Sequence, residues 1–400
     1  MKNRFRNLAN YALNCIKRYK VRTLVIIVSL SIAAFIFASV SFMKEGLVRE
    51  GELSLKYAPD LTVQGMFAGR QSLINTSYIY YIQKTLGVKA VEERIWGYGN
   101  IGNTLLVIVG IDLDNPVVNP ASAYPLVSGS FLDSQENNSV VIGKAVADLT
   151  GARVGSWLAI LTESNQVRQY KVRGVFSSES SIYNADMILM SENDARLFFG
   201  IPEGKVTDLL VYTEDVNKAY YVTQLNFVAR EISELPNVRV LTKDILLKAQ
   251  ETTYGARSGF FSITWFTVLV SAAIVAFNQT VVVGHESKFE VGLLKALGFS
   301  TSDIIQVRLI ESLILGVLAG SIGIASGIFF DTVLGAPVFR DFLLGWAVLY
   351  PAFSVPVHIS LQTVLITYAI TIVPLLFATV VPSWLNATVD PDLAMRGARA

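Results

Sequence analysis

Four long stretches of this sequence carry no charge: Leu24 to Met43, Gly259 to Gly284, Ser312 to Phe330, and Phe342 to Val389, within which Leu361 to Val381 is the best-placed segment. A bilayer core about 30 Å thick is crossed by roughly 20 apolar residues in helical form. Hydrocarbon offers no water to a backbone that is not hydrogen-bonded to itself. The sequence therefore predicts four transmembrane α-helices, over 24–43, 259–284, 309–330 and 361–381. Composition agrees with that class, at 52% hydrophobic, 16% charged and a mean hydropathy of +0.47. The first stretch is longer than the apolar core of a signal peptide. Lys44, Glu45 and Gly46 follow it in place of a small-residue cleavage site, so it is expected to stay as an anchor.

Orientation follows from the segment 1–23, which holds Lys2, Arg4, Arg6, Lys17, Arg18, Lys20 and Arg22 and no acidic residue. Such a flank belongs in the cytoplasm. With four crossings, 44–258 lies outside, 285–308 inside, 331–360 outside and the tail 382–400 inside, with both termini cytoplasmic. Between Asp331 and Val357 the only basic residue is Arg340, in agreement. Within Arg4 to Tyr19, the residues Phe5, Leu8, Ala12, Cys15 with Ile16, and Tyr19 recur at three- and four-residue spacing. That pattern predicts an amphipathic helix lying on membrane lipids; a basic flank that only fixes orientation is compatible with it.

The insert 44–258 is large enough for its own core. Apolar or alternating runs predict strands at Asp60 to Val63, Thr104 to Gly110, Ser139 to Ile142, Ser156 to Leu161, Gln169 to Val175, Met187 to Met190, Asp208 to Tyr212 and Val238 to Leu241. Helical periodicity appears at Ser77 to Leu86, Lys144 to Leu149, Glu192 to Phe199 and Val216 to Leu235. The fold class is a membrane protein with a large α+β extracytoplasmic domain inserted between helices 1 and 2, in one or two subdomains. Helical patterns at Lys44 to Leu55 and Lys243 to Tyr254 adjoin the first and second spans as stalks.

Several functions are excluded. A net charge of +1 gives no bulk attraction to nucleic acid. A single cysteine, Cys15, and two distant histidines, His285 and His358, provide no disulfide framework, Cys-based zinc site or local metal motif. No Gly-x-Ser-x-Gly and no Gly-rich phosphate loop occurs, and Gly143-Lys144-Ala145 lacks the spacing of one, leaving Lys144 as a solvated helix residue. The pairs Glu92 with Glu93 and Asp112 with Asp114 are expected to be surface charges. No catalytic, cofactor-binding or metal residue is assigned.

The segment after the second span reads HESKFEVGLLKALGFSTSDIIQVRLIESLILGVLAG. Lys288 to Leu297 predicts a short separate helix with Val291, Leu294 and Leu297 on one face, Gly298 as its cap, and Ser300 with Asp303 opening the next helix. In that next helix Gly316, Gly320, Gly323 and Gly327 leave one side nearly bare. Close packing is the natural use, against the bundle generally or, more sharply, against a symmetry mate. Glu311 is expected near the inner surface or in a polar contact rather than in a proton relay. Pro374 reads as a tolerated kink, and the stretch FLLGWAVLYPAFSVPV as a loop too apolar to be solvated.

The chain resembles the permeases of MacB/FtsX-type ABC transporters, the type VII mechanotransmission class. The resemblance rests on FEVGLLKALG before the third span, PSWLNATVDPDLAMRGA after the fourth, and VVIGKAVADLTG and VGSWLAIL...YKVRGVF in the insert, which are similar to the family's periplasmic core domain. It implies that Glu290, Val291, Gly292, Leu294, Ala296, Leu297 and Gly298 dock on a nucleotide-binding subunit. The tail, with Pro382, Asp390, Pro391 and Leu393, resembles the family's closing element. Among relatives whose ATPase is a separate chain, the DevC-like stand-alone permeases are similar. No P-loop precedes the first span, so ATP and Mg are expected on a partner ATPase, and no cofactor on this chain.

The resemblance further implies a bacterial inner-membrane, multi-pass dimer of permeases, homo- or heteromeric, on two ATPase subunits. Its substrate would be periplasmic or lipidic, exported with a periplasmic adaptor and an outer-membrane channel. The alternative is an FtsX-like transmitter that activates an extracytoplasmic partner without transport. A third reading is an anchored receptor with no ATPase.

Overall fold

In a computed structural model, residues 2–114, 116–162, 165–177, 180, 186–214, 217–254, 259–337 and 356–388 are described. Side chains are described except at 2–5, 218–219, 250–251, 253–254, 259–262, 276–290, 381–383 and 385–388. The chain opens with helices α1 (Lys2–Arg18) and α2 (Lys20–Ser54). There follow β1 (Leu61–Phe67), β2 (Arg70–Ser72), β3 (Ile74–Asn75), α3 (Tyr78–Gln83), β4 (Val88–Ile101) and β5 (Thr104–Ile111). Next come α4 (Pro120–Ala123), β6 (Leu126–Gly129), β7 (Ser139–Gly143), α5 (Lys144–Thr150), β8 (Trp157–Leu161) and β9 (Val167–Phe176). The insert closes with β10 (Met187–Ser191), α6 (Glu192–Phe199), β11 (Lys205–Val206), β12 (Asp208–Thr213), α7 (Lys218–Ser233), β13 (Val238–Thr242) and α8 (Lys243–Tyr254). Helices α9 (Gly259–Ala296), α10 (Thr301–Thr332) and α11 (Leu361–Thr388) end the described chain.

These elements form two compact units. One holds α1, α2 up to Leu47, and α9 to α11; the other is the α+β unit between Val48 and Thr253. Among the described residues three helices are long and apolar enough to cross a membrane: α2, α10, and α11 over Leu361–Val380. In α9 the described apolar stretch is shorter, Ile263–Val275.

In the α+β unit every predicted strand is present, and one sheet of 11 strands carries them, with the order β13-β1-β12-β4-β5-β10-β7-β9-β6. The pairs β5/β10 and β7/β9 are parallel and the other pairs antiparallel. No division of the sheet into two subdomains occurs, because β4, 14 residues long, bridges both halves by pairing with β12 at one end and β5 at the other. That strand escaped the sequence reading: Glu92, Glu93, Gly97 and Gly99 all depress strand propensity. The glycines are there for packing. A Cβ on Gly97 would stand 2.6 Å from the Phe199 ring, and one on Gly99 2.5 Å from Ile108 Cδ1, so the bare backbone admits α6 against the sheet.

Period-two alternation sorts the sheet's faces. Leu61, Val63, Ile95, Ile108, Leu209 and Val211 point into the main core beneath α3, α5, α6 and α7. The opposite face bears Gln64, Arg94, Trp96 and Asp208. Asp208 has no exposed surface, and it accepts from Gln64 Nε2 (3.2 Å), Gln71 Nε2 (3.1 Å), Arg94 Nη2 (2.6 Å) and Trp96 Nε1 (2.6 Å). Register makes this possible, since Gln64 and Arg94 stand directly opposite Asp208 on the two flanking strands.

The pair Glu92 and Glu93 is not a simple surface feature. Burial holds both carboxyls above the usual 4.5, and neighbouring carboxylates, Asp112 and Glu192, push the same way against Arg94 and Arg196. Asp186, also buried, is pushed up to about 6 by loss of water. Asp114 donates its amide to Asp112 Oδ1 at 2.9 Å and is exposed. Lys144 is exposed, as expected.

In the helical unit, the four glycines of α10 face two helices of the same chain, α11 and α2. A Cβ on Gly316 would meet Ile372 Cγ1 at 2.9 Å, and one on Gly320 the Tyr368 ring at 2.8 Å, both on α11. On Gly323 it would meet Ala34 Cβ at 2.4 Å and Phe35 N at 2.9 Å in α2, whereas on Gly327 the nearest atom, Ser39 N, is at 3.4 Å.

Two predictions follow from these contacts. Gly323→Ala should cost about 1–3 kcal/mol and lower the thermal midpoint by several degrees in detergent, because backbone must give way. Gly327→Ala, which meets only ordinary van der Waals contact, should leave the midpoint nearly unchanged. The second concerns pH. A carboxyl whose folded pKa exceeds its unfolded one keeps its proton longer in the folded state, so its contribution is undiminished below the unfolded value and is lost as pH rises through the folded one. For Asp186 the window runs from 3.8 to about 6. Midpoints measured at pH 4 and pH 7 should fall less with pH in Asp186→Asn than in the parent chain.

Candidate functional site

The segment expected to dock on an ATPase forms the turn between α9 and α10. The separate short helix predicted at 288–297 is instead the last part of α9, which runs unbroken from Gly259 to Ala296. Nothing in HESKFE breaks a helix: its charges end a membrane-compatible stretch but not helical propensity. Gly298, at φ +92°, closes α9; its amide donates to Lys295 O at 2.9 Å and that of Phe299 to Leu294 O at 3.0 Å. Ser300 then caps α10, its Oγ accepting from Asp303 N at 3.2 Å while Ser300 N donates to Asp303 Oδ2 at 3.1 Å. The capping box expected from the Ser-x-x-Asp spacing is thus in place.

This turn divides its apolar residues. Val291 and Leu294 are buried with Ile304 against Tyr11 and Phe299. Leu293 and Leu297 face outward, 48% and 70% exposed. Gly292 is buried and Ala296 exposed, and the side chain of Glu290 lies outside the described residues.

Helix α1 completes the tip. Its apolar stripe, Leu8, Ala12 and Cys15, is buried, and Leu8 and Ala12 pack on Val307 of α10, with Tyr11 6.3 Å from the Phe299 ring. The amphipathic pattern was legible, but the partner of the apolar face is protein rather than lipid. Sequence spacing states that a face is apolar and not what covers it.

Nearly three turns into α10, Glu311 is 4% exposed. It accepts from Arg22 Nη2 of α2 at 2.6 Å and from Arg308 Nη1 at 2.8 Å. A polar contact was the expectation; its partners, 289 positions apart in one case, could not be read from spacing. This clamp joins the start of α2 to α10 beside the tip. At the far end of α10, Ser39 donates to Asp331 Oδ1 at 2.5 Å, and Thr363 donates to Glu45.

The α+β unit anchors its two stalks together. Lys243, first residue of α8, donates from Nζ to Lys56 O (3.2 Å) and Ala58 O (3.3 Å), just beyond the end of α2. Its amide donates to Asp60 O at 2.8 Å. The Asp60 carboxylate in turn accepts from Thr213 N (2.8 Å), Thr213 Oγ1 (2.9 Å) and Tyr221 OH (2.5 Å). Burial lowers the Lys243 ammonium's pKa, and Asp60 opposes that shift. None of these residues was singled out from sequence, since lone Asp and Lys residues at strand ends carry no motif.

The expected tail element lies partly outside the described residues, which stop at Thr388; Pro382, placed in the tail by sequence, falls within α11. The apolar loop FLLGWAVLYPAFSVPV, 342–357, lies outside them but for its last two residues. Among the described residues no group of His, Cys, Asp and Glu could hold a metal ion.

Replacing Glu311 by Gln should destabilise the helical unit by about 3–5 kcal/mol, because the negative charge that Arg22 and Arg308 share is removed from a largely buried site. Unfolding in detergent, followed by circular dichroism at helix wavelengths, measures it.

Comparison with known proteins gives two family matches. The model of the MacB-like periplasmic core domain matches residues 23–226, more than half of the 400-residue chain, and that of the FtsX-like permease C-terminal domain matches 261–391. The uncharacterized ABC transporter permease MJ1507 of Methanocaldococcus jannaschii is 24% identical over 222 residues, 54% of this chain and 53% of the relative. The chain thus spans about half the length of that curated relative. Similar solved structures are the periplasmic region of MacB from Actinobacillus actinomycetemcomitans (15% identity, TM-score 0.34, 48% of this chain and 92% of that one) and the extracellular domain of the noncanonic ABC-type transporter YknZ from Gram-positive bacteria (14%, 0.32, 46% and 99%). A MacB-type core domain followed by an FtsX-type C-terminal domain, on a chain with three membrane-length helices, makes this protein a membrane-embedded ABC permease of the MacB/FtsX family.

Proposed function

We propose that this chain is the permease subunit of an ABC exporter, with four spans of which 259–284 is the second, working as a dimer on a separate ATPase in a bacterial inner membrane. ATP and Mg bind the partner, and its nucleotide-driven motion is received at the α9–α10 turn. The observation that carries the reading is that turn: Gly298 and the Ser300–Asp303 box hold its shape while Leu293 and Leu297 stand exposed. A rigid tip presenting unburied leucines suits a groove on another protein. The buried Arg22–Glu311–Arg308 clamp and the packing of α1 make the tip move with the bundle rather than flex.

Displacement of the helices then reaches the α+β unit through α2 and α8, whose ends are tied by Lys243 and Asp60. The unit sits in the periplasm and moves a periplasmic or lipidic substrate there, handing it to an adaptor and an outer-membrane channel. The substrate need not cross the bilayer.

Leu297→Asp should leave folding intact, since the side chain is 70% exposed, while reducing affinity for the ATPase and the stimulated hydrolysis rate by tenfold or more. Leu294→Asp, buried, should instead lower the thermal midpoint. Co-purification from native membranes and ATPase assays of the reconstituted pair separate the two. An unchanged hydrolysis rate in Leu297→Asp would overturn the docking assignment.

A further inference from the structure

The sheet face opposite α3, α5, α6 and α7 carries a cavity of about 380 Å³ within the α+β unit. Its floor is β4, β5 and β12, and its sides are the chain just after α2 and the segment around α4. That volume falls in the range of small-molecule sites. Val107, Val109, Met187 and Leu210 make its walls apolar, and the rings of Trp96 and Tyr124 line it as well. Polar groups are few and unequal in charge.

Arg94 on the floor is already neutralised, since its guanidinium donates to Asp208 at 2.6 Å. Trp96 Nε1 is taken by the same carboxylate. Glu92 is different. It accepts one hydrogen bond, from Tyr212 OH at 3.2 Å, and makes no salt bridge among the described residues. Asp112 adds negative charge nearby. The cavity therefore has an apolar body with one carboxylate at its wall that forms no ion pair among the described residues, the nearby Arg94 being held by Asp208.

We propose that this cavity binds an amphiphilic monocation, its ammonium against Glu92 and its apolar body against Trp96, Val109, Met187 and Leu210. A cation there supplies the charge that Glu92 lacks, and an aromatic wall adds cation–π attraction. An anion of equal shape meets the Glu92 carboxylate instead and binds more weakly. The proposal goes beyond the exporter reading and does not depend on it, because the site lies wholly in the α+β unit.

The test is titration calorimetry on the full chain in non-ionic detergent, with empty micelles as blank. The probes are (4-phenylbutyl)trimethylammonium and 4-phenylbutane sulfonate, alike in shape and opposite in charge. The expected result is binding of the cation at one site per chain at least tenfold more tightly than of the sulfonate. In Glu92→Gln the cation's affinity should fall at least tenfold while the sulfonate's does not fall. Met187→Trp, which fills the cavity, should abolish binding of the cation. Equal affinity of the two probes for the parent chain overturns the proposal without recourse to any variant. Unchanged cation binding in both folded variants overturns it too. ATPase coupling is read separately and has no bearing on either outcome.

Discussion

A carboxylate removed from water has to be matched where it stands, and the fold is organised around the places where this happens. Asp208 is the fullest case: with no exposed surface, it takes donors from β1, β4 and the residue Gln71 on β2. An unmatched buried charge would cost several kcal/mol, so these strands cannot slip register without losing it. Alternation alone would permit a shift by two residues; the ion pair with Arg94 does not. Glu311 serves the helical unit in the same way, setting the start of α2 against α10. Asp60 does so where the stalks meet the sheet.

Much of this architecture was legible before any coordinates. The membrane-length helices follow from uncharged length, and eight strands of the sheet from alternation. The α9–α10 turn was read from Gly298, Ser300 and Asp303, because caps are local chemistry and local chemistry is written in adjacent residues. What escaped notice is of two kinds. Strand β4 hid because its charged triplet and its glycines answer to tertiary neighbours, namely Asp208, Tyr212 and the phenylalanines of α6. The helix break expected after the second span was wrong for the opposite reason: polarity ends a hydrophobic run without ending a helix.

The candidate site shows the same division. Spacing puts Val291, Leu294 and Leu297 on one face, but α9 ends at Ala296, and the structure turns Val291 and Leu294 inward and Leu297 outward. The partner of Glu311 lies at the other end of the sequence, and α1 finds its cover on α10. Long-range pairing of this sort leaves no periodic trace in one chain.

Helix α2 runs without a proline from Lys20 to Ser54, and its last residues, Leu53 and Ser54, form part of the cavity wall beside Leu55. Position of that helix end and occupancy of the cavity are therefore variables of one equilibrium. Thermodynamic linkage makes their coupling reciprocal: whatever shifts the helix end alters affinity, and a bound molecule biases the helix by an equal free energy. A tenfold change in affinity corresponds to about 1.4 kcal/mol of such bias. In the exporter proposed above, a small molecule held against Glu92 would bias where the end of α2 sits.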